Sequence, residues 1–165
     1  MNWFTKSKIG TKSEPDLTSS ILYDEKTFYN RFSQDLLKAQ KEVIIESPYI
    51  TTPRMRLLRQ IFQKLVDKGV KVFVITRDPK EHEEGMEIQS EAEISHFEAI
   101  GVQVLLCVGN HHRKLAILDR KILWEGSLNI LSQTHSREIM RRIESKKLAE
   151  EMYEFLRFDK VLYQK

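Results

Sequence analysis

Residues 112–129 read His112-Arg113-Lys114-Leu115-Ala116-Ile117-Leu118-Asp119-Arg120-Lys121-Ile122-Leu123-Trp124-Glu125-Gly126-Ser127-Leu128-Asn129. In an extended strand, side chains two apart share a face, so His112 and Lys114 project together while Arg113 points away. The apolar run 115–118, the turn-like Asp119-Arg120-Lys121 and the apolar run 122–124 read as a hairpin. It carries Gly126, Ser127 and Asn129 back beside the first strand. Ser127 and Asn129, again two apart, are placed to donate to phosphate oxygens on the same face. A phosphodiester gains charge on its equatorial oxygens as it is attacked, and preorganised donors with an ammonium stabilise that charge. Gly126 lets backbone and ligand approach closely.

The spacing, His-x-Lys followed after four residues by Asp and after six more by Gly-Ser-x-Asn, resembles the signature of the phospholipase D superfamily. That resemblance implies a histidine that attacks phosphorus to form a covalent phosphohistidine, and a second histidine, from a second copy of the motif, that protonates the leaving oxygen. Here the motif occurs once: His82, His96, His111 and His135 lack the Lys, Asp and Gly-Ser pattern. The chain therefore most resembles small single-motif bacterial members, nuclease-like proteins that complete one site across a two-fold homodimer. The resemblance also implies a glutamate about ten residues after Asn129 that orients the catalytic imidazole, and Glu138 fits. Asp119 is expected to organise the turn and not to carry a proton.

Composition agrees. The 165 residues are long enough for one domain with a real core. No apolar run approaches membrane-span length and the amino terminus lacks a signal-like apolar core, so a soluble, cytoplasmic protein is expected. The single cysteine, Cys107, follows an apolar run and reads as a small core residue. Net charge is +3, yet residues 113–147 hold nine cations against four acids, while 81–98 hold seven glutamates and neither Lys nor Arg. A basic segment beside an acidic helix reads as one face for a polyanion and one turned from it.

Residues 1–20 read as a flexible arm or linker, and 21–165 as the catalytic domain. Helices are expected from the N-cap Asp24 to 41, from Thr52-Pro53 to a stop at Gly69, over 84–100, and over 146–158. Strands are expected at 43–45, 70–76, 102–106, in the two motif runs and over 138–143. The expected fold is α/β, a mixed, largely parallel sheet sandwiched by helices, as in the resembled family.

The expected activity is a metal-independent phosphodiesterase, a nuclease on DNA or RNA, with no cofactor. His112 is nucleophile in one subunit and acid or base in the other, with Lys114, Ser127 and Asn129 on the phosphate. Tyr49 and Arg77, at strand ends, and Arg141 and Arg142, in the basic segment, are candidate substrate contacts. The histidines and Cys107 match no zinc spacing. One alternative is a phospholipase or phosphatidyltransferase, which needs a lipid-facing apolar surface. Another is a nucleic-acid-binding or targeting module of a larger helicase or restriction system, within which this chain is part of a longer DNA-processing protein.

Overall fold

A computed structural model describes residues 19–132 and 135–163. One seven-stranded sheet runs through it: β1 (Ser19–Asp24), β2 (Glu42–Glu46), β3 (Lys71–Arg77), β4 (Gln103–Cys107), β5 (Leu115–Leu118), β6 (Ile122–Gly126) and β7 (Ile139–Glu144), in the spatial order β1-β7-β6-β5-β2-β3-β4. Helices α1 (Phe28–Lys38), α2 (Thr52–Asp67) and α3 (Glu84–Ala99) pack on one face, and α4 (Lys146–Phe155) and α5 (Phe158–Leu162) on the other. Parallel pairing is confined to β2/β3 and β3/β4; the other four pairings are antiparallel. The sheet is mixed as expected, but its parallel part is the smaller one, because after β4 the chain returns through hairpin-type pairings without crossover helices.

Alternation along the strands splits the core. Val43, Ile45, Val72, Val74, Ala116, Trp124 and Met140 face α1 to α3, where Trp124 meets Phe28 edge-on at 5.1 Å. Ile44, Phe73, Ile75, Ile117 and Leu123 face α4 and α5. The motif hairpin turns at Asp119 and Arg120, both at positive φ (52° and 54°). That is the geometry of a two-residue hairpin turn whose twist matches the strands, and Asp tolerates it well. The Asp119 carboxylate also accepts from the backbone N–H groups of Gln40, Lys41 and Glu42 at 2.8–3.0 Å. It thereby ties the hairpin to the entry of β2.

Three boundaries differ from expectation. Of the expected arm, residues 1–18 lie outside the described residues, while Ser19 and Ser20 open β1. Asp24 ends that strand instead of capping a helix; its carboxylate accepts from the N–H of Lys26 and Thr27, a local turn, and α1 begins at Phe28. The last helix breaks at Arg157, which sits at φ 55°. No described helix is long and apolar enough to cross a membrane.

Candidate active site

Strand direction gathers the motif at one end of the sheet. The carboxyl ends of β2, β3, β4 and β6 meet the amino ends of β5 and β7 there, the usual location of ligands in open α/β sheets. An open groove of about 550 Å³ at this end is lined by Leu22, His112, Arg113, Lys114, Glu125, Gly126, Ile139 and Arg141, among others.

His112 and Lys114 do not lie in a regular strand, as the pattern predicts; β5 begins at Leu115. The alternation survives because the segment is pinned from both sides. Before it, Gly109 and Asn110 take positive φ (95° and 60°). The Glu81 carboxylate accepts from their N–H groups at 2.7 and 3.2 Å, and Arg77 donates to Asn110 Oδ1 at 2.8 Å and to Glu81 at 2.9 Å. Between the motif residues, Arg113 reaches back to the fully buried Glu46, with contacts of 2.7 and 2.8 Å. Burial pushes the Glu46 carboxyl above its ordinary range, and Arg113 opposes that rise. With Arg113 held on one side, His112 and Lys114 share the other.

Lys114 Nζ lies 2.9 Å from His112 Nδ1 and donates to the His112 carbonyl at 2.9 Å. Burial holds the Lys114 ammonium below its ordinary value, while the charge of Glu138 raises it. Ser127 Oγ donates to the Glu138 carboxylate and accepts from Ile139 N–H at 3.1 Å. Ser136 donates to the other Glu138 oxygen at 2.6 Å. These bonds from Ser127 and Ser136 hold Glu138 below the usual carboxylate range, helped by Lys114. Among the described residues, no hydrogen bond joins Glu138 to His112; the serines occupy the carboxylate. Asn129 is half-buried, with Oδ1 enclosed and without a hydrogen-bond partner.

Other expected contacts are redistributed. Gly126 is required by the protein itself, since a Cβ there would clash with the Ile139 carbonyl, and it also lines the groove. Arg141 lines the groove, donating to Ser20 at 2.8 Å. Arg142 faces the opposite way: it is 3% exposed and held by Asp35 at 2.6 Å, so it is an interior ion pair and not a phosphate contact. Arg77 serves the loop before His112, as above. Tyr49 packs its ring 5.1 Å from that of His82, away from the groove lining. His111 is half-buried with Nε2 unpaired, and burial lowers its basicity. Glu46 and Glu81 escaped the sequence reading; the only local signal for Glu46 was a carboxylate closing an apolar strand.

The family model described as "Cardiolipin synthase, PLD-like domain" matches residues 32–159. The chain belongs to this phospholipase D-like family. No curated protein matches its sequence. Among solved structures, this PLD-like chain is similar to Nuc from Salmonella typhimurium, a phospholipase D family member, at 17% identity and a TM-score of 0.70, with 84% of this chain and 91% of that one covered. NucT from Helicobacter pylori is similar at 18% identity and a TM-score of 0.63, over 84% and 92%. A phosphatidylserine synthase of Haemophilus influenzae Rd KW20 matches at 17% identity and a TM-score of 0.65, over 85% of this chain but 38% of its own. At these identities the likeness is one of fold.

Proposed function

We propose that this PLD-like protein is a metal-independent phosphodiesterase of the cytoplasm, with residues 21–165 as its catalytic domain, acting on DNA or RNA through a homodimeric active site. The observation that carries the reading is the groove itself: one exposed imidazole, His112, stands against an ammonium, Lys114, with Arg113 and Arg141 on the walls and Ser127, Glu138 and Asn129 nearby. The His112 nitrogen attacks phosphorus, and the P–O bond to the leaving alkoxide breaks as the mate's imidazolium gives it a proton. Water then attacks the phosphohistidine, losing a proton to the imidazole that had donated one, and the P–N bond breaks. Lys114, as an ammonium, can only donate. A substrate phosphate therefore draws it off the ring and frees the nucleophile.

The basic segment and the open groove favour a nucleic-acid backbone, held by charge and read for shape. A lipid phosphodiester is the second reading, favoured by an apolar hollow bordering the groove at Glu125. In a longer DNA-processing protein the same domain would cut where another module places it. Incubating the chain with labelled DNA, labelled RNA and phospholipid vesicles in excess chelator tests the reading. Release from nucleic acid alone is expected; release from vesicles alone sinks it.

A further inference from the structure

The hairpin that carries the motif has a second end. His112, Lys114 and Ser127 stand where β5 starts and β6 finishes. At the opposite end, roughly 15 Å away along strands that rise about 3.4 Å per residue, the turn Asp119-Arg120-Lys121 walls a separate cleft of about 430 Å³. Lys41, Lys71, Lys121 and Lys146 line it, all four exposed. Backbone hydrogen bonds fix them in one frame. Lys71 N–H donates to the Lys41 carbonyl at 3.0 Å, Asp119 N–H to that of Glu42 at 2.9 Å, and Ser145 N–H to that of Lys121 at 2.9 Å.

The inner acids of this wall are already engaged. Both oxygens of Asp119 accept backbone N–H groups. The buried Glu42 takes Arg120 at 2.7 Å and the Tyr163 hydroxyl at 2.8 Å, and Arg120 is held further over the Tyr153 ring at 3.8 Å. Among the described residues, Lys146 is the one of the four lysines with a carboxylate in ion-pair reach, Glu150 at 3.9 Å. A single surface lysine needs only water. Four ammoniums around one hollow repel one another and concentrate positive potential there.

We propose that this cleft binds a small anion with several linked phosphates, a nucleoside triphosphate or an inorganic oligophosphate, at a site separate from the catalytic groove. Each lysine offers phosphate a point charge with three donors on a stem that adapts to the ligand. Four of them answer a chain of phosphates better than a single one, and the volume is that of a small-ligand site. A phosphodiester held at His112, at the other end of the hairpin, leaves the cleft free.

Calorimetric titration of the full chain with tripolyphosphate, and separately with a nucleoside triphosphate, tests it. Wild type is expected to bind. Lys71→Gln combined with Lys121→Gln should weaken binding about a hundredfold, about tenfold for each charged hydrogen bond lost, with an unchanged melting temperature because both side chains are exposed. Arg141→Gln in the groove, and Lys64→Gln with Lys68→Gln on the exposed side of α2, are expected to bind as wild type does. Tighter binding of the nucleotide than of tripolyphosphate assigns the ligand to nucleotides, and the reverse assigns it to inorganic oligophosphate. A wild type that binds neither anion, or a Lys71/Lys121 double variant that binds as tightly as wild type, overturns the site. Equal weakening by the α2 pair overturns it in favour of a general effect of net charge, and loss of binding in Arg141→Gln overturns it in favour of the catalytic groove.

Discussion

Arg141 and Arg142 are neighbours on β7 with opposite fates. Arg142 turns to the face sealed by α1 to α3, where Asp35 takes its guanidinium and Trp124 Nε1 donates to the same carboxylate at 3.1 Å. Arg141 turns to the face that α4 leaves partly open and lines the groove with His112. The first side chain is spent on the fold and the second is available for an anion. On β7 the strand's alternation thus decides which of two neighbouring charges is locked in an interior ion pair and which stays open to the groove.

Substitutions should separate the two faces by readout. The largest effect is expected at His112, where one change would remove both the attacking and the proton-donating imidazole of the proposed dimer. His112→Ala should cut turnover to below about one per cent while stability stays within about 0.5 kcal/mol of wild type; a folded variant that retains more activity would remove His112 from the mechanism. On the sealed face, Arg142→Ala leaves Asp35 buried and unpaired and should cost about 3–5 kcal/mol of stability in urea unfolding. Arg141→Ala should leave stability unchanged yet weaken nucleic-acid binding across sequences alike and reduce the salt slope by about one. Equal destabilisation by both would erase the distinction between the faces.

Smaller effects test the supports of the groove. Glu81→Gln loosens the Gly109-Asn110 entry and should lower kcat by about tenfold to a hundredfold, more than it changes KM; an unchanged kcat would show that His112 is positioned without it. Ser136→Ala removes one of the bonds that hold Glu138 below its ordinary range. The carboxyl then protonates at a higher pH. The acid limb of the rate profile should shift upward with the plateau unchanged, and a downward shift would contradict the assigned bonding.

Much of this was legible in the sequence because it is local. The motif spacing, the hairpin turn at Asp119 and the stop at Gly69, which sits at φ 79°, each depend on a few consecutive residues. What was not legible depends on distant partners. Glu46 meets Arg113 across 67 positions and Asp35 meets Arg142 across 107, and nothing in either neighbourhood names the other. In residues 139–144, Met140 and Arg142 alternate with Ile139, Arg141 and Ile143, a pattern in which both faces carry a charge and apolar groups. Only Asp35 on α1 reveals which arginine is inside. Strand β1 was missed because it is an edge strand exposed along nearly all its length, so it carries none of the burial alternation by which strands are read.

The central claim is that one chain holds half a site, and mixed dimers address it most directly. Wild-type and His112→Ala chains, separately tagged, are combined and the heterodimer is purified and assayed on the substrate class found with wild type. A shared site lacks one of its two imidazoles in that species, so its turnover is expected to be near zero. Turnover at half the wild-type value would mean that each chain works alone, and the shared-site account would be wrong.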